Sequence, residues 1–159
     1  MKLLALALLC LAAFPLHAET LAGRVVSIAD GDTLTLLDGS NTQRKIRLAS
    51  IDAPERHQAF GSKSQSSLAA LAFGQNVVAE CGKTDRYQRL ICKILINGQD
   101  INLEQVKAGM AWWYVAFAKE QTPQDRGLYE QAEFFAKARR LGLWGDTNPT
   151  PPWEWRRLK

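Results

Sequence analysis

Within residues 29–55, ADGDTLTLLDGSNTQRKIRLASIDAPE, the acids Asp30, Asp32, Asp52 and Glu55 fall at the ends of two apolar runs, and Arg47 lies inside the second run. Carboxylates are strongly hydrated and costly to bury without partners, so several converging on one sheet edge imply a bound cation or a reacting group to share. A hard divalent cation takes several oxygens with waters completing its shell, and two carboxylates from neighbouring strand ends plus a backbone carbonyl suit it. Glu55, three residues beyond Asp52, is placed to hold a water without being a main ligand. Singly, each acid has a plainer role: Asp30 and Asp32 as turn residues about Gly31, Asp52 as a loop acid before Ala53-Pro54, and Glu55 as a solvated or capping residue. Their conjunction is what argues for chemistry.

Arg47 precedes Asp52 in the same run, and Arg89 follows the sequence DRYQ. Each alone reads as a solvated surface arginine. Together, beside a cluster of acids, they suit a phosphate diester, because each guanidinium can donate two parallel hydrogen bonds to phosphoryl oxygens.

The elements that must position these residues follow from periodicity. Short runs between turn residues predict strands over 21–29, 32–37 and 43–51, the second alternating polar and apolar, with turns at Asp30-Gly31 and Asp38-Gly39, where Asp and Gly tolerate the positive φ of tight hairpins. Past Pro54, residues 62–73 read as a helix with Leu68, Ala69, Leu71 and Ala72 inward and Gly74 as its stop. Two more strands, 76–80 and 90–96, flank a polar segment, and a helix over about 102–110 follows. A last helix starts at Thr122 as cap with Pro123 at its first position; Leu128, Ala132, Phe135, Ala136 and Leu141 share one face, and Gly142 ends it. The fold class is mixed α+β: a five-stranded Greek-key barrel of the OB type with about three helices.

At 159 residues with 47% hydrophobic residues, the chain suits one core. The domain organisation read from it is a signal peptide over 1–18, a barrel domain over 19–147, and a tail over 148–159 that is too rich in Pro for a helix and lies on the body. Lys2, the apolar run over 3–14 and the small Ala18 support a cleaved leader, and the run is too short to span a bilayer. The chain is then secreted or periplasmic. A formal charge of +4 favours nucleic acid only weakly as a partner. Cys81 and Cys92, the two cysteines beyond residue 18, flank the last hairpin. Their placement permits a cross-strand disulfide contributing about 3 kcal/mol; two buried thiols are the alternative.

The segments VVSIADGDTLTL, IRLASIDAPE, TDRYQRLICKIL, LEQVKAGMAWWY and NPTPPWEWRR, in this order, closely resemble the staphylococcal nuclease family over essentially the whole chain past residue 18. The resemblance implies that Asp32, Asp52 and the backbone carbonyl of Ala53 bind calcium, with Asp30 in the outer shell. It implies Glu55 as general base, Arg47 and Arg89 as the phosphate clamp, and Tyr87 as a contact to nucleotide phosphate. Cleavage of DNA and RNA at the 5′-oxygen, leaving 3′-phosphates, follows from the same likeness, with a monomer as the default and no stable protein partner. This chain has Ala53 where the family's best-known member has Thr, and Gln88 where Gly is usual. Its aromatic run of Trp112, Trp113, Tyr114 and Phe117 departs from the family's stacking tyrosines, leaving Trp113 and Tyr114 as candidates to stack on a base or to fill the core. The competing class is a non-catalytic OB module that grips single strands by stacking and charge.

Overall fold

A computed structural model describes residues 19–158, so the leader expected over 1–18 lies outside the described residues. Five strands form the barrel: β1 (Glu19–Ile28), β2 (Thr33–Asp38), β3 (Gln43–Leu48), β5 (Asn76–Thr84) and β6 (Leu90–Ile96). They run in the order β3-β2-β1-β5-β6 with antiparallel neighbours, and a parallel pairing of β3 with β6, Ile46 to Leu90 through Leu48 to Cys92, closes the ring. This is the expected OB-type barrel. Closure removes the exposed edges that an open sheet of these strands would present. Val25, Leu34, Leu36, Ile46, Leu48, Ala79 and Ile94 fill its interior.

The third strand is shorter than the expected 43–51. It ends at Leu48, and Ser50 at φ 65° turns the chain so that a separate short strand, β4 (Ile51–Asp52), pairs with β8 (Trp112–Trp113). No local pattern marks this break, because Ile51 is as buried and apolar as the residues before it. The expected tight hairpin at Asp30-Gly31 also differs: neither residue has positive φ, and the positive value after Asp38 belongs to Asn41.

Helix α1 (Gly61–Ala72) buries Leu68 and Ala72 and leaves Ala69 and Leu71 half-buried, and Gly74 follows it at φ 76°. A two-residue strand, β7 (Gln99–Asp100), pairs with the end of β6 and leads into α2 (Ile101–Lys107), capped by the Asp100 carboxylate on Leu103 N–H. Helix α3 (Pro123–Ala138) starts as expected, with the Thr122 hydroxyl accepting from Asp125 N–H and Pro123 in the first turn. Its buried face is rotated from the predicted one: Tyr129, Ala132 and Ala136 are buried, whereas Leu128, Phe135 and Leu141 are exposed. Tyr129 takes the inward place because its hydroxyl donates to Asp100 at 2.8 Å, which satisfies a polar tip that burial would otherwise penalise. The helix stops at Ala138, before Arg140 at φ 54° and Gly142. The Pro-rich tail does contain one helical turn, α4 (Pro152–Trp155), since Pro is tolerated in a first turn. Cys81 and Cys92 are register partners on β5 and β6 and are joined by a disulfide.

Candidate functional site

The turn between β1 and β2 carries the first acids. Asp30 accepts the Asp32 N–H at 3.0 Å, a local bond that Asx residues favour in turns. Gly31 is fixed from below: its carbonyl accepts from the buried Gln105 amide of α2 at 2.8 Å, which also donates to Ser64 O of α1. Asp32 is buried; its carboxylate accepts the Ala53 N–H at 2.8 Å and the Thr33 hydroxyl at 3.0 Å. Burial pushes the Asp32 carboxyl above its ordinary value, opposed by the Arg47 charge and assisted by Asp30.

The break after β3 brings in the second group. Because β4 is clamped on β8, with Tyr114 N–H donating to Ser50 O at 2.9 Å, Asp52 is held with its side chain only 1% exposed. Arg47 stands opposite Thr33 in the ladder, on the alternate side from the buried Ile46 and Leu48. One of its terminal nitrogens lies 2.8 Å from Asp52 and 3.3 Å from Asp32, so two acids distant in sequence converge on one point. Burial works against the Arg47 charge, but Asp32 and Asp52 outweigh it and raise its pKa.

The β5–β6 hairpin tip supplies the third group. Asp85 accepts the backbone N–H groups of Tyr87 and Arg89 at 2.8 and 2.9 Å, and Arg89 Nε at 2.8 Å. Burial would raise the Asp85 carboxyl, but these bonds from Arg89 and Tyr87 prevail and hold it below its ordinary value. Arg89 also reaches the Thr33 hydroxyl at 3.3 Å, which aims it at the acids. Gln88, at the position where Gly would be strain-free, adopts φ 62°, so the tip keeps a left-handed residue at a cost on the order of 1 kcal/mol. The exposed Tyr87 ring lies 5.4 Å from the Arg89 guanidinium.

Glu55 follows Pro54 on the same rim. Its backbone N–H donates to Gln58 Oε1 at 3.0 Å, and its side chain is 38% exposed. One open groove of about 850 Å³ is lined by Asp30, Asp32, Arg47, Asp52, Ala53, Glu55, Tyr87 and Arg89 together. The eight residues expected to hold cation, water and phosphate therefore share one cavity. Tyr114 also lines it, stacked on Trp153 with ring centroids 5.3 Å apart. Trp113 does not: it is buried, with its indole N–H on Gln121 at 2.8 Å, and belongs to the core.

Arg156 was missed. From the residue after α4 it donates to both Asp52 oxygens, at 2.7 and 3.2 Å, and to Glu55 at 2.8 Å. The hydrogen bonds to Asp52 raise its pKa. The one available signal was a pair of arginines ending a Trp-rich tail.

As a cation site the side-chain donors are all oxygen: the Asp32 and Asp52 carboxylates, gathered about one Arg47 nitrogen, with Ala53 held beside them by its N–H on Asp32. Among the described residues no group of three His, Cys, Asp or Glu side chains is arranged as ligands. The chemistry fits a hard cation that draws the rest of its shell from water and substrate.

The family described as staphylococcal nuclease homologue matches residues 45–146. The chain is 49% identical over 135 residues to an uncharacterized endonuclease of Haemophilus influenzae, covering 84% of this chain and 72% of that one. It is 40% identical over 166 residues to the micrococcal nuclease of Shigella flexneri, covering 99% and 92%. Protein ParB of Escherichia coli is 37% identical over 162 residues, covering 96% and 88%.

Proposed function

Because the chain belongs to the staphylococcal nuclease family, we propose that it is an exported, calcium-dependent nuclease that hydrolyses phosphodiester bonds of DNA and RNA and leaves 3′-phosphate ends. The observation that carries this reading is the convergence of the half-exposed Glu55 carboxylate, two arginines and two buried acids on one groove. Asp32, Asp52 and the Ala53 carbonyl would hold calcium, and Asp30 would order its waters. The bound ion supplies charge neutralisation at the phosphoryl oxygens.

The chain's own residues do the rest. Arg47 and Arg89 donate to phosphoryl oxygens and neutralise the charge that builds there in the transition state. Glu55 accepts the proton of a water whose oxygen attacks phosphorus in line. The phosphorus–O5′ bond breaks, and the leaving oxygen takes up a proton to become a 5′-hydroxyl. Tyr87, exposed at the tip beside Arg89, contacts a neighbouring phosphate. Export rests on the Lys2, 3–14 and Ala18 pattern and agrees with a disulfide. The expected destination is the periplasm or the medium, and the expected state is a monomer.

The test is incubation of the purified protein, without residues 1–18, with plasmid and with single-stranded DNA, in calcium, in magnesium or in chelator. Products in calcium and poor turnover in magnesium are expected, since magnesium demands a tighter octahedron. A gel shift without products under every condition would favour the non-catalytic single-strand binder instead.

A further inference from the structure

We infer that Arg156 is a built-in counterion of the acid cluster, one that competes with a divalent cation for Asp52 and clamps Glu55 until the cation binds. The inference deepens the reading above and rests on it. Its basis is the way one guanidinium bridges two acids of different roles: both Asp52 oxygens, at 2.7 and 3.2 Å, and Glu55 at 2.8 Å.

A carboxylate offers about four lone-pair sites, and Asp52 already receives two N–H donors from Arg156 and one from Arg47 at 2.8 Å. Oδ1 holds two of these bonds, one from each arginine, so a cation on Oδ1 must displace one of them, and a cation on Oδ2 would lie directly against the Arg156 guanidinium. Arg47 is the poorer candidate, because it sits within β3 with its side chain 16% exposed and also reaches Asp32 and the Ile51 carbonyl. Arg156 is 43% exposed and reaches the site from the solvent side. Like-charge repulsion between a divalent ion at Asp52 and the guanidinium acts in the same direction.

The backbone that carries Arg156 is anchored independently of the acids. Pro152 is buried, Trp153 stacks on Tyr114 and meets Trp112 edge-on, and Thr150 O accepts from the Gln58 amide at 2.5 Å. The side chain can therefore leave Asp52 while the tail stays docked, and it remains at the rim of a groove suited to phosphates. Its departure also frees the Glu55 oxygen that accepts from it at 2.8 Å.

The test compares the parent chain, without residues 1–18, with Arg156→Gln and Arg156→Lys by calcium titration calorimetry in the absence of nucleic acid. Thermal unfolding in chelator and in saturating calcium accompanies it. Arg156→Gln should bind calcium about tenfold more tightly, with Arg156→Lys closer to the parent, since lysine restores the competing charge. In chelator Arg156→Gln should melt below the parent, and calcium should close that gap. Equal calcium affinities, or a melting gap that is the same with and without calcium, would overturn the inference and leave Arg156 as a tail-docking residue. Failure of both parent and Arg156→Gln to bind calcium while folded would instead remove the calcium reading, and this inference with it.

Discussion

Gly31 and Ser64 are packed so closely that a β-carbon on Gly31 would fall 1.8 Å from the Ser64 hydroxyl oxygen and 2.8 Å from the Ala53 β-carbon. Gly31 is therefore required by space and not by backbone angle, and the turn that carries Asp30 and Asp32 rests directly on α1. Ser64 cannot swing aside freely, because it is buried and its hydroxyl donates to Met110 O at 2.6 Å. Gly31→Ala should cost about 1 to 3 kcal/mol of stability, as overpacking does, and should displace both acids. Denaturant unfolding together with calcium affinity checks it; a variant as stable as the parent with unchanged affinity contradicts the packing argument.

Glu55→Gln keeps the shape and one acceptor oxygen for Arg156, yet removes the group that takes the proton. Turnover should fall by about a hundredfold or more, with substrate affinity nearly intact, because a base acts chiefly in the transition state. Single-turnover rates beside binding measured by anisotropy separate the two. A loss confined to affinity would move Glu55 into the binding set.

The two arginines should respond differently to replacement by lysine. Arg47 joins two buried carboxylates across strands, so Arg47→Lys should lower stability by about 1 to 2 kcal/mol as well as turnover. Arg89 pairs with the half-buried Asp85 alone among the acids of the described residues, and Asp85 keeps two backbone N–H donors whichever cation faces it, so Arg89→Lys should cost less stability than Arg47→Lys, about 1 kcal/mol or less, and still damage turnover. Equal stability losses in the two variants would show that Arg47 does not tie the acids together.

The parts of this molecule that sequence discloses are those governed by local rules. Alternation in β2 and the short apolar run of β6 locate the barrel, the Thr122–Pro123 start locates α3, and the cost of burying unpaired acids locates Asp32 and Asp52. The parts that escape it depend on partners far along the chain. Arg156 meets Asp52 across 104 residues, and no periodicity records that meeting. The face of α3 is legible only in part for the same reason: Ala132 and Ala136 turn inward as the stripe predicts, but Leu128 and Phe135 satisfy that stripe as well as Tyr129 does, and it is Tyr129 that finds a partner in Asp100, 29 residues away. Ser50 escapes because the strand break it makes is defined by the pairing of β4 with β8.

Asp38 gives a pH dependence of defined sign. Bonds from the Ser40 hydroxyl at 2.6 Å, the Thr42 N–H at 2.9 Å and Arg44 Nε at 2.9 Å hold its carboxyl well below the ordinary 3.8. A folded-state pKa depressed in this way contributes stability that is present above about 3.8 and is lost as pH falls below it. Asp38→Ala should therefore melt below the parent at neutral pH, and the gap should narrow as pH drops under that value. A gap that stays constant down to about pH 2 would mean that these bonds do not favour the ionised form.

The Cys81–Cys92 disulfide joins β5 to β6 immediately before the hairpin that presents Tyr87 and Arg89. Closing a loop with a sequence separation of 11 residues should contribute about 3 kcal/mol by restricting the unfolded chain. The residues proposed to hold calcium lie on other segments, at the β1–β2 turn and on β4, so the bridge should influence the two halves of the site unequally. Reduction, or the paired change Cys81→Ala and Cys92→Ala, should lower the melting temperature and weaken turnover through Arg89 while leaving calcium affinity unchanged. Calorimetric calcium titration of the reduced protein beside its turnover checks the asymmetry. Intact mass of denatured, alkylated protein checks the premise: two alkylated thiols without prior reductant would sink it.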